Sequence, residues 1–181
     1  MNPNISRLYT KENQIIFEQM SKTLYIIRHA KASREEIYHK DWQRPLLPIG
    51  IERANKVSKI LKRKNIVPDK IISSHAFRAL NTAVIFALNL DYPADKIEIS
   101  YTIYGKTPDD LISLIREQKD DITSLMIFGH NPSFTDLCNI LANENRIDLT
   151  TSSVACIRFN TGNWMKIEKK QGKIAFLETG K

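Results

Sequence analysis

Three short apolar runs, each followed at once by side chains suited to phosphate chemistry, constrain this chain most strongly. They span 24–27, 71–74 and 124–128, and they alternate with stretches of helical periodicity. Runs of this length, rich in β-branched and aromatic residues, are typical of buried strands in a parallel α/β sheet. The carboxyl ends of parallel strands lie at one edge, where open α/β folds bind their ligands.

Two arginines and two histidines follow these runs. Arg28 and His29 end the first run, Arg78 lies in the first turn of the helix after the second, and His130 follows the third. Arginine offers a planar, permanently charged fork that suits phosphate, and a neutral histidine offers a nucleophilic nitrogen. The pattern predicts one pocket for phosphoryl transfer through a histidine, and it contains no evident carboxylate cluster for a metal.

Four stretches resemble, in order and spacing, the histidine phosphatase superfamily, and most closely its small SixA-type phosphohistidine phosphatase branch. They are LYIIRHAK (24–31), DWQRPL (41–46), SSHAFRALNTA (73–83) and GHNP (129–132). Ala30 stands where the wider superfamily usually has glycine. The resemblance covers nearly the whole chain from about Lys22 onward. It implies a phosphoglycerate mutase-like, three-layer α/β/α fold whose mainly parallel central sheet has antiparallel edge strands.

The resemblance also implies a role for each matching residue. His29 is expected to carry the phosphoryl group as a covalent intermediate, while Arg28 and Arg78 clamp its oxygens. His130, if protonated, adds a donor where charge shifts in the transition state. No metal or other cofactor is implied. Further contacts to the phosphoryl group are expected from Lys31, Ser33 and Asn131; for Lys31 and Ser33, a solvated loop without contact is an equal alternative.

The matching motifs lack the carboxylic acid with which many members protonate an alkoxide leaving group. Asn131 follows the histidine of the last motif, and Glu35, Glu36, Asp41 and Glu52 occupy no distinctive position. An alcohol ester suffers most without an acid, whereas the imidazole of phosphohistidine leaves more easily. The favoured substrate is therefore protein phosphohistidine. A small phosphate monoester, or a non-catalytic phosphate-binding module, remains the alternative.

Charge and composition fit a single enzyme domain. The 181 residues carry a net charge of +7, which admits RNA binding as a rival function, but the basic residues form no recognised nucleic-acid signature. A basic field also favours an acidic phosphorylated partner. No apolar run is long enough for a membrane span. With no visible signal peptide and only Cys138 and Cys156, both expected to be buried thiols, we expect a cytoplasmic protein.

The boundaries follow from the same patterns. Residues 1–21 match nothing in the family and are expected to be an extension, helical or disordered, while 22–181 form the phosphatase domain. Met20 reads as an alternative protein start. In the tail, the patterns predict three strands, over 153–160, 164–170 and 173–177.

Overall fold

A computed structural model describes residues 21–34, 40–144 and 146–180. Its centre is a six-stranded sheet with the order β3-β2-β4-β1-β5-β6. The strands are β1 (Lys22–Arg28), β2 (Lys70–Ser74), β3 (Glu98–Ser100), β4 (Ser124–Gly129), β5 (Val154–Phe159) and β6 (Lys173–Glu178). The first four are mutually parallel, and β5 runs antiparallel to both β1 and β6. The predicted mainly parallel sheet with antiparallel strands at one edge is confirmed.

Four α-helices cross between the strands: α1 (Pro48–Arg63), α2 (Phe77–Asn89), α3 (Pro108–Arg116) and α4 (Ser133–Ala142). Proline occupies the first turn of α1, where its missing N–H is no loss. Helix α3 begins with a capping box, because Thr107 and Asp110 satisfy each other's backbone N–H groups.

The alternation of side chains along the strands divides the core into two layers. Leu24 and Ile26 of β1 pack in one cluster with α3 and α4, while Tyr25 and Ile27 pack in another with α1 and α2. Successive residues of a strand point to opposite faces, so a fully apolar strand requires cover on both. The result is the three-layer α/β/α arrangement that the sequence predicts.

The register of the central strands sets the position of the site. Arg28 at the end of β1 pairs with Gly129 at the end of β4, and Ser73 of β2 pairs with Phe128. The three strands therefore end at the same level of the sheet. Whatever follows each of them, including His29 and His130, is brought to one edge, as predicted.

The predicted strand over 164–170 is wrong. Trp164 begins a single 3₁₀ turn, and the chain reaches β6 only at Lys173. The Trp164 side chain is fully buried, and its indole N–H donates to the carbonyl of Ile122 at 2.7 Å. A buried indole needs such a partner, and this one lies before β4. The chain therefore turns inward here instead of extending the sheet.

The expected extension over residues 1–21 lies, apart from Ser21, outside the described residues. Within the part of the chain that the structure describes, no helix is long and apolar enough to cross a membrane. Cys138 on α4 and Cys156 on β5 are buried free thiols, as expected. Burial raises the pKa of both thiols, so neither is a reactive thiolate.

Candidate active site

His29 follows the last residue of β1 and has a defined tautomer. Its Nδ1 lies 2.7 Å from the carbonyl oxygen of Ala30. A carbonyl only accepts, so Nδ1 carries the proton and Nε2 keeps its lone pair. Burial, helped by the nearby charges of Arg78 and Arg28, lowers the pKa of His29 to about 4. At neutral pH the imidazole is therefore uncharged, with Nε2 as the nucleophilic atom.

His130 follows β4, with its ring centroid 5.1 Å from that of His29. Its Nε2 lies 2.9 Å from the Ser74 hydroxyl. That hydroxyl accepts the backbone N–H of Ala76, and among the described residues Nε2 of His130 is the acceptor within reach of its hydrogen. The proton of the His130 ring is thus assigned to Nδ1, a buried donor without a partner among the described residues. Burial and the neighbouring His29 lower the pKa of His130 to about 3, so it acts as a neutral donor in the free protein.

Arg28 and Arg78 are anchored by groups outside the pocket. Arg28 donates from Nη1 to the carbonyl of Leu149 at 2.7 Å, and Asn131 donates to the same carbonyl at 3.0 Å. Arg78, buried in the first turn of α2, donates from Nη1 to the carbonyl of Asp41 and from Nη2 to its carboxylate, each at 2.7 Å. The Nε atoms of both arginines are buried without a partner within the described chain.

The hydroxyl of Thr82 connects the turn after His29 to the helix that carries Arg78. The Thr82 hydroxyl accepts the backbone N–H of Ala30 at 2.9 Å and donates to the carbonyl of Arg78 at 2.6 Å. Both bonds are buried. The turn after His29 is therefore fixed to the helix that carries Arg78.

Arg28, His29, Arg78 and His130 line a pocket of about 760 Å³. Lys31 and Asn131 lie in its lining, and their contact with a phosphoryl group stays a prediction. Ser33 does not lie in the lining: it is buried, and its backbone N–H donates to the carbonyl of Pro45. The lining residues are Arg28, His29, Lys31, Ala32, Arg34, Arg44, Leu47, Arg53, Arg78, His130, Asn131 and Thr151.

Several residues of the pocket have no signal in the sequence pattern. Arg53 lies on the face of α1 that turns to the pocket, and Arg34 and Arg44 lie in the segments before that helix. Only Arg44 falls within a quoted motif. Asp41, which begins the DWQRPL stretch but has no predicted role, is the ion-pair partner of both Arg78 and Arg44. Its role depends on a contact between distant parts of the chain.

The chemistry of the lining favours an anion. The pocket holds six cationic side chains and no carboxylate among its described lining residues. Three buried nitrogen atoms of this lining have no partner within the described chain: Nε of Arg28, Nε of Arg78 and Nδ1 of His130. Unpartnered buried donors are rare in proteins and call for an explanation. A bound phosphoryl group supplies one, since its oxygens accept several such bonds. Among residues 21–34, 40–144 and 146–180 there is no cluster of side chains that could hold a metal ion.

Known structures share this fold. The protein histidine phosphatase SixA, solved with tungstate, matches with a TM-score of 0.70 at 21% identity, over 87% of this chain and 97% of that one. A mycobacterial glucosyl-3-phosphoglycerate phosphatase matches with a TM-score of 0.56 at 11% identity, over 88% and 98%. At these identities the likeness concerns the fold.

Sequence comparison identifies the family. An uncharacterized protein of Mycobacterium tuberculosis is 30% identical over 152 residues, which cover 78% of this chain and 92% of the relative. The family model of the histidine phosphatase superfamily (branch 1) matches residues 24–121. That range contains His29, Arg28 and Arg78. This chain therefore belongs to the histidine phosphatase superfamily.

Proposed function

We propose that the protein is a metal-independent phosphatase that works through a covalent phosphoryl group on His29, with protein phosphohistidine as its substrate. The observation that carries the proposal is the hydrogen bond from His29 Nδ1 to the carbonyl of Ala30. It leaves Nε2 unprotonated in a pocket lined by Arg28, Arg78 and His130. A nucleophile and donors for the phosphoryl oxygens are thus side by side.

In the first step, His29 Nε2 attacks the phosphorus of the substrate and the bond from phosphorus to the substrate imidazole breaks. When the other nitrogen of that imidazole carries a proton, the ring leaves as a neutral molecule. The phosphoryl group passes between two imidazoles of the same chemistry, so neither bond is intrinsically favoured. No general acid is needed.

In the second step, water attacks the phosphorus of phospho-His29 and the bond to Nε2 breaks. The Nδ1 proton remains on the ring throughout, so His29 leaves as a neutral imidazole and the product is dihydrogen phosphate. The carbonyl of Ala30 holds the same proton in both steps. The nucleophile is thereby regenerated in its starting tautomer.

The cationic side chains stabilise the transferred group in both steps. Its negative charge lies on the equatorial oxygens, and catalysis of phosphoryl transfer rests mainly on positioning and charge stabilisation. Arg28 and Arg78 supply charged donors. His130 supplies a neutral donor from Nδ1, and the approach of the dianion raises its affinity for a second proton.

A small phosphate ester is the second candidate substrate, and it requires a proton donor for the alkoxide. Asp41 is the described carboxylate that contacts Arg78. Partial burial acts to raise its pKa, but hydrogen bonds from Tyr104 and Arg78 hold the pKa of this carboxyl below its ordinary value. At neutral pH it has no proton to give. This favours phosphohistidine over an ester.

The test compares phosphate release, in EDTA, from a phosphohistidine-bearing protein and from a panel of phosphate monoesters. We expect turnover of phosphohistidine by the wild type and none by His29→Ala. His75→Ala is the matched control, because His75 lies close by but outside the pocket lining. An alkaline quench preserves phosphohistidine and should trap a phosphorylated wild-type chain.

Other outcomes distinguish the alternatives. Faster His29-dependent turnover of an ester would retain the mechanism and overturn the substrate. Phosphate binding without any His29-dependent turnover would indicate a binding module. RNA binding that survives His29→Ala would favour the nucleic-acid hypothesis. The unpaired thiols of Cys138 and Cys156 support a cytoplasmic location, which fractionation of the source cells tests.

A further inference from the structure

The pocket contains more positive charge than one phosphoryl group requires. A phosphoryl group carries at most about two negative charges, and the Asp41 carboxylate paired with Arg78 adds about one more; together they offset Arg28, Arg78 and one further cation. Four more cations lie in the same lining: Lys31, Arg34, Arg44 and Arg53. The surplus calls for a partner other than the reacting group.

Within the described residues, three of these four cations form no ion pair with a carboxylate. Arg44 lies 2.9 Å from the Asp41 carboxylate. Lys31, Arg34 and Arg53, in contrast, form no ion pair with any carboxylate of the described chain. Burial lowers the pKa of the Arg28 guanidinium; the carboxylate of Asp148 opposes this effect, and the charge of Arg34 adds to it. Cations gathered without a counter-charge repel one another, and a bound anion relieves that repulsion.

The backbone at Lys31 and Ser33 and the stem of Arg53 are held by contacts with other parts of the chain. The carbonyl of Lys31 accepts the N–H of Leu47, and the N–H of Ser33 donates to Pro45. Arg53 extends from the second turn of α1, and its aliphatic stem packs against Gly180, where an added Cβ would lie 2.9 Å from the Arg53 Cβ. A fixed backbone limits the entropy lost when such side chains bind an anion.

The size of the pocket agrees with a larger ligand. Its volume of about 760 Å³ falls in the range of sites that enclose a whole small molecule. A single phosphoryl group fills only a small part of it. Lys31, Arg34, Arg44 and Arg53 lie in the lining of the same pocket.

We propose that Lys31, Arg34 and Arg53 form a second anion subsite, so that the preferred substrate carries another phosphate or carboxylate group close to the reacting phosphoryl group. This inference rests on the proposed function and narrows its substrate class. For a phosphohistidine protein, the second group is an acidic side chain or a further phosphoryl group beside the modified histidine.

The binding test compares methylphosphonate, which carries one phosphonate group, with methylenediphosphonate, which carries two. Their phosphorus–carbon bonds are not cleaved by phosphoryl transfer, so neither ligand is consumed during the measurement. Titration calorimetry at fixed ionic strength gives both affinities. We expect the diphosphonate to bind the wild type at least about tenfold more tightly, as a further charge-assisted contact allows. Arg34→Gln combined with Arg53→Gln should reduce the preference to about twofold or less, with methylphosphonate binding retained as evidence of an intact fold.

The matched control is Arg63→Gln, since Arg63 is an exposed arginine at the far end of α1 and lies outside the pocket lining. It should leave the preference unchanged. Equal binding of both phosphonates by the wild type, or an undiminished preference in the double variant, overturns the inference. These affinities do not depend on turnover, so they are independent of whether phosphohistidine is hydrolysed.

A second arm identifies the source of the anion. Phosphohistidine peptides with aspartate or asparagine beside the modified residue are compared by kcat/KM in the wild type and the double variant. A preference for aspartate that the double variant loses assigns the subsite to a carboxylate. A diphosphonate preference without an aspartate preference assigns it to phosphate. Turnover of the peptides with neither preference overturns the inference while the phosphatase function stands.

Discussion

Asp41 holds Arg78 at two points, by its backbone carbonyl and by its carboxylate, each at 2.7 Å. The same carboxylate accepts the Tyr104 hydroxyl at 2.5 Å. A residue from the loop before α1 thus orients the guanidinium on α2 and partly neutralises it. Arg78 has five N–H groups and uses two of them on Asp41, so further donors, among them the unpartnered Nε, remain for the phosphoryl group.

Asp41→Asn should separate orientation from charge. The variant keeps the backbone contact to Arg78 and loses the charged one, which is worth about 1.5–3 kcal/mol for a charged hydrogen bond. We expect kcat to fall roughly tenfold or more and inorganic phosphate to inhibit more strongly, because a competing anion has been removed. Steady-state kinetics with added phosphate measures both.

Asp109→Asn is the control for this substitution. Asp109 forms an exposed ion pair with Lys169 at 2.7 Å on α3, outside the pocket lining. Asp109→Asn should leave both kcat and the inhibition constant of phosphate unchanged. If Asp41→Asn behaves in the same way, Asp41 has no part in positioning Arg78.

Thr82 offers a test of the link between the nucleophile and the clamp. Thr82→Val preserves the shape of the side chain but leaves the buried N–H of Ala30 without its acceptor. An unsatisfied buried group costs about 1–3 kcal/mol, so the free energy of unfolding should fall by that amount, and kcat should fall with it.

Thr82→Ser retains the hydroxyl and should recover most of the lost activity. Denaturant unfolding and kcat, measured on both variants, test whether the Thr82 hydroxyl positions the catalytic residues. Equal activity of the valine and serine variants would contradict a positioning role for the hydroxyl.

The low pKa of about 4 for His29 predicts a nucleophile that stays neutral through mildly acidic pH. Titration of the His29 ring by NMR should show a midpoint well below the ordinary value of about 6.5. His29→Gln assigns the resonance by removing it. NMR is preferred to a rate profile because phosphate monoesters themselves ionise near pH 6. A midpoint near 6.5 would contradict the burial described for the site.

The same shift predicts how stability depends on pH. The folded-state pKa of His29 lies below its unfolded value, so between about 4 and 6.5 the unfolded chain binds more protons than the folded one. The free energy of unfolding therefore falls as pH decreases through this window, with the full contribution present above it. His29→Gln should show a shallower decline in denaturation experiments from pH 7 to pH 5.

Gly50 allows the first turn of α1 to lie against the backbone of Lys31. A Cβ at this position would lie 2.2 Å from the carbonyl oxygen of Lys31, which cannot move aside as a flexible side chain could. Gly50→Ala should therefore destabilise the fold by about 1–3 kcal/mol and also weaken substrate binding, because the loop after His29 must shift. Lys59→Ala, on an exposed position of the same helix, is the control for unfolding and KM.

The convergence of Arg28, His29, Arg78 and His130 could be predicted from the sequence for a physical reason. Each lies immediately after a strand or one helical turn beyond it, and parallel strands bring their ends to one edge whatever the connections do. The apolar runs predict those strands directly. Local pattern and global topology therefore lead to the same site.

The parts that could not be predicted depend on contacts between distant residues. Trp164 leaves the strand pattern because its partner is the carbonyl of Ile122, and Asp41 matters because Arg78 lies beside it in space. In the sequence, Arg53 is one of several polar residues on an amphipathic helix, and only the packing of that helix in the fold shows that it lines the pocket. Ser33 appears close to the nucleophile in sequence, yet its backbone turns toward Pro45.

The hydrogen bond between His29 Nδ1 and the carbonyl of Ala30 also has a regiochemical consequence. Phosphorylated histidine exists as two isomers, according to which ring nitrogen bears phosphorus. Under the proposed mechanism, with Nδ1 committed to the adjacent peptide group, only Nε2 can bond to phosphorus, and the intermediate is the tele isomer. A hydrogen bond between two neighbouring residues at the end of β1 thus selects the isomer of the proposed intermediate.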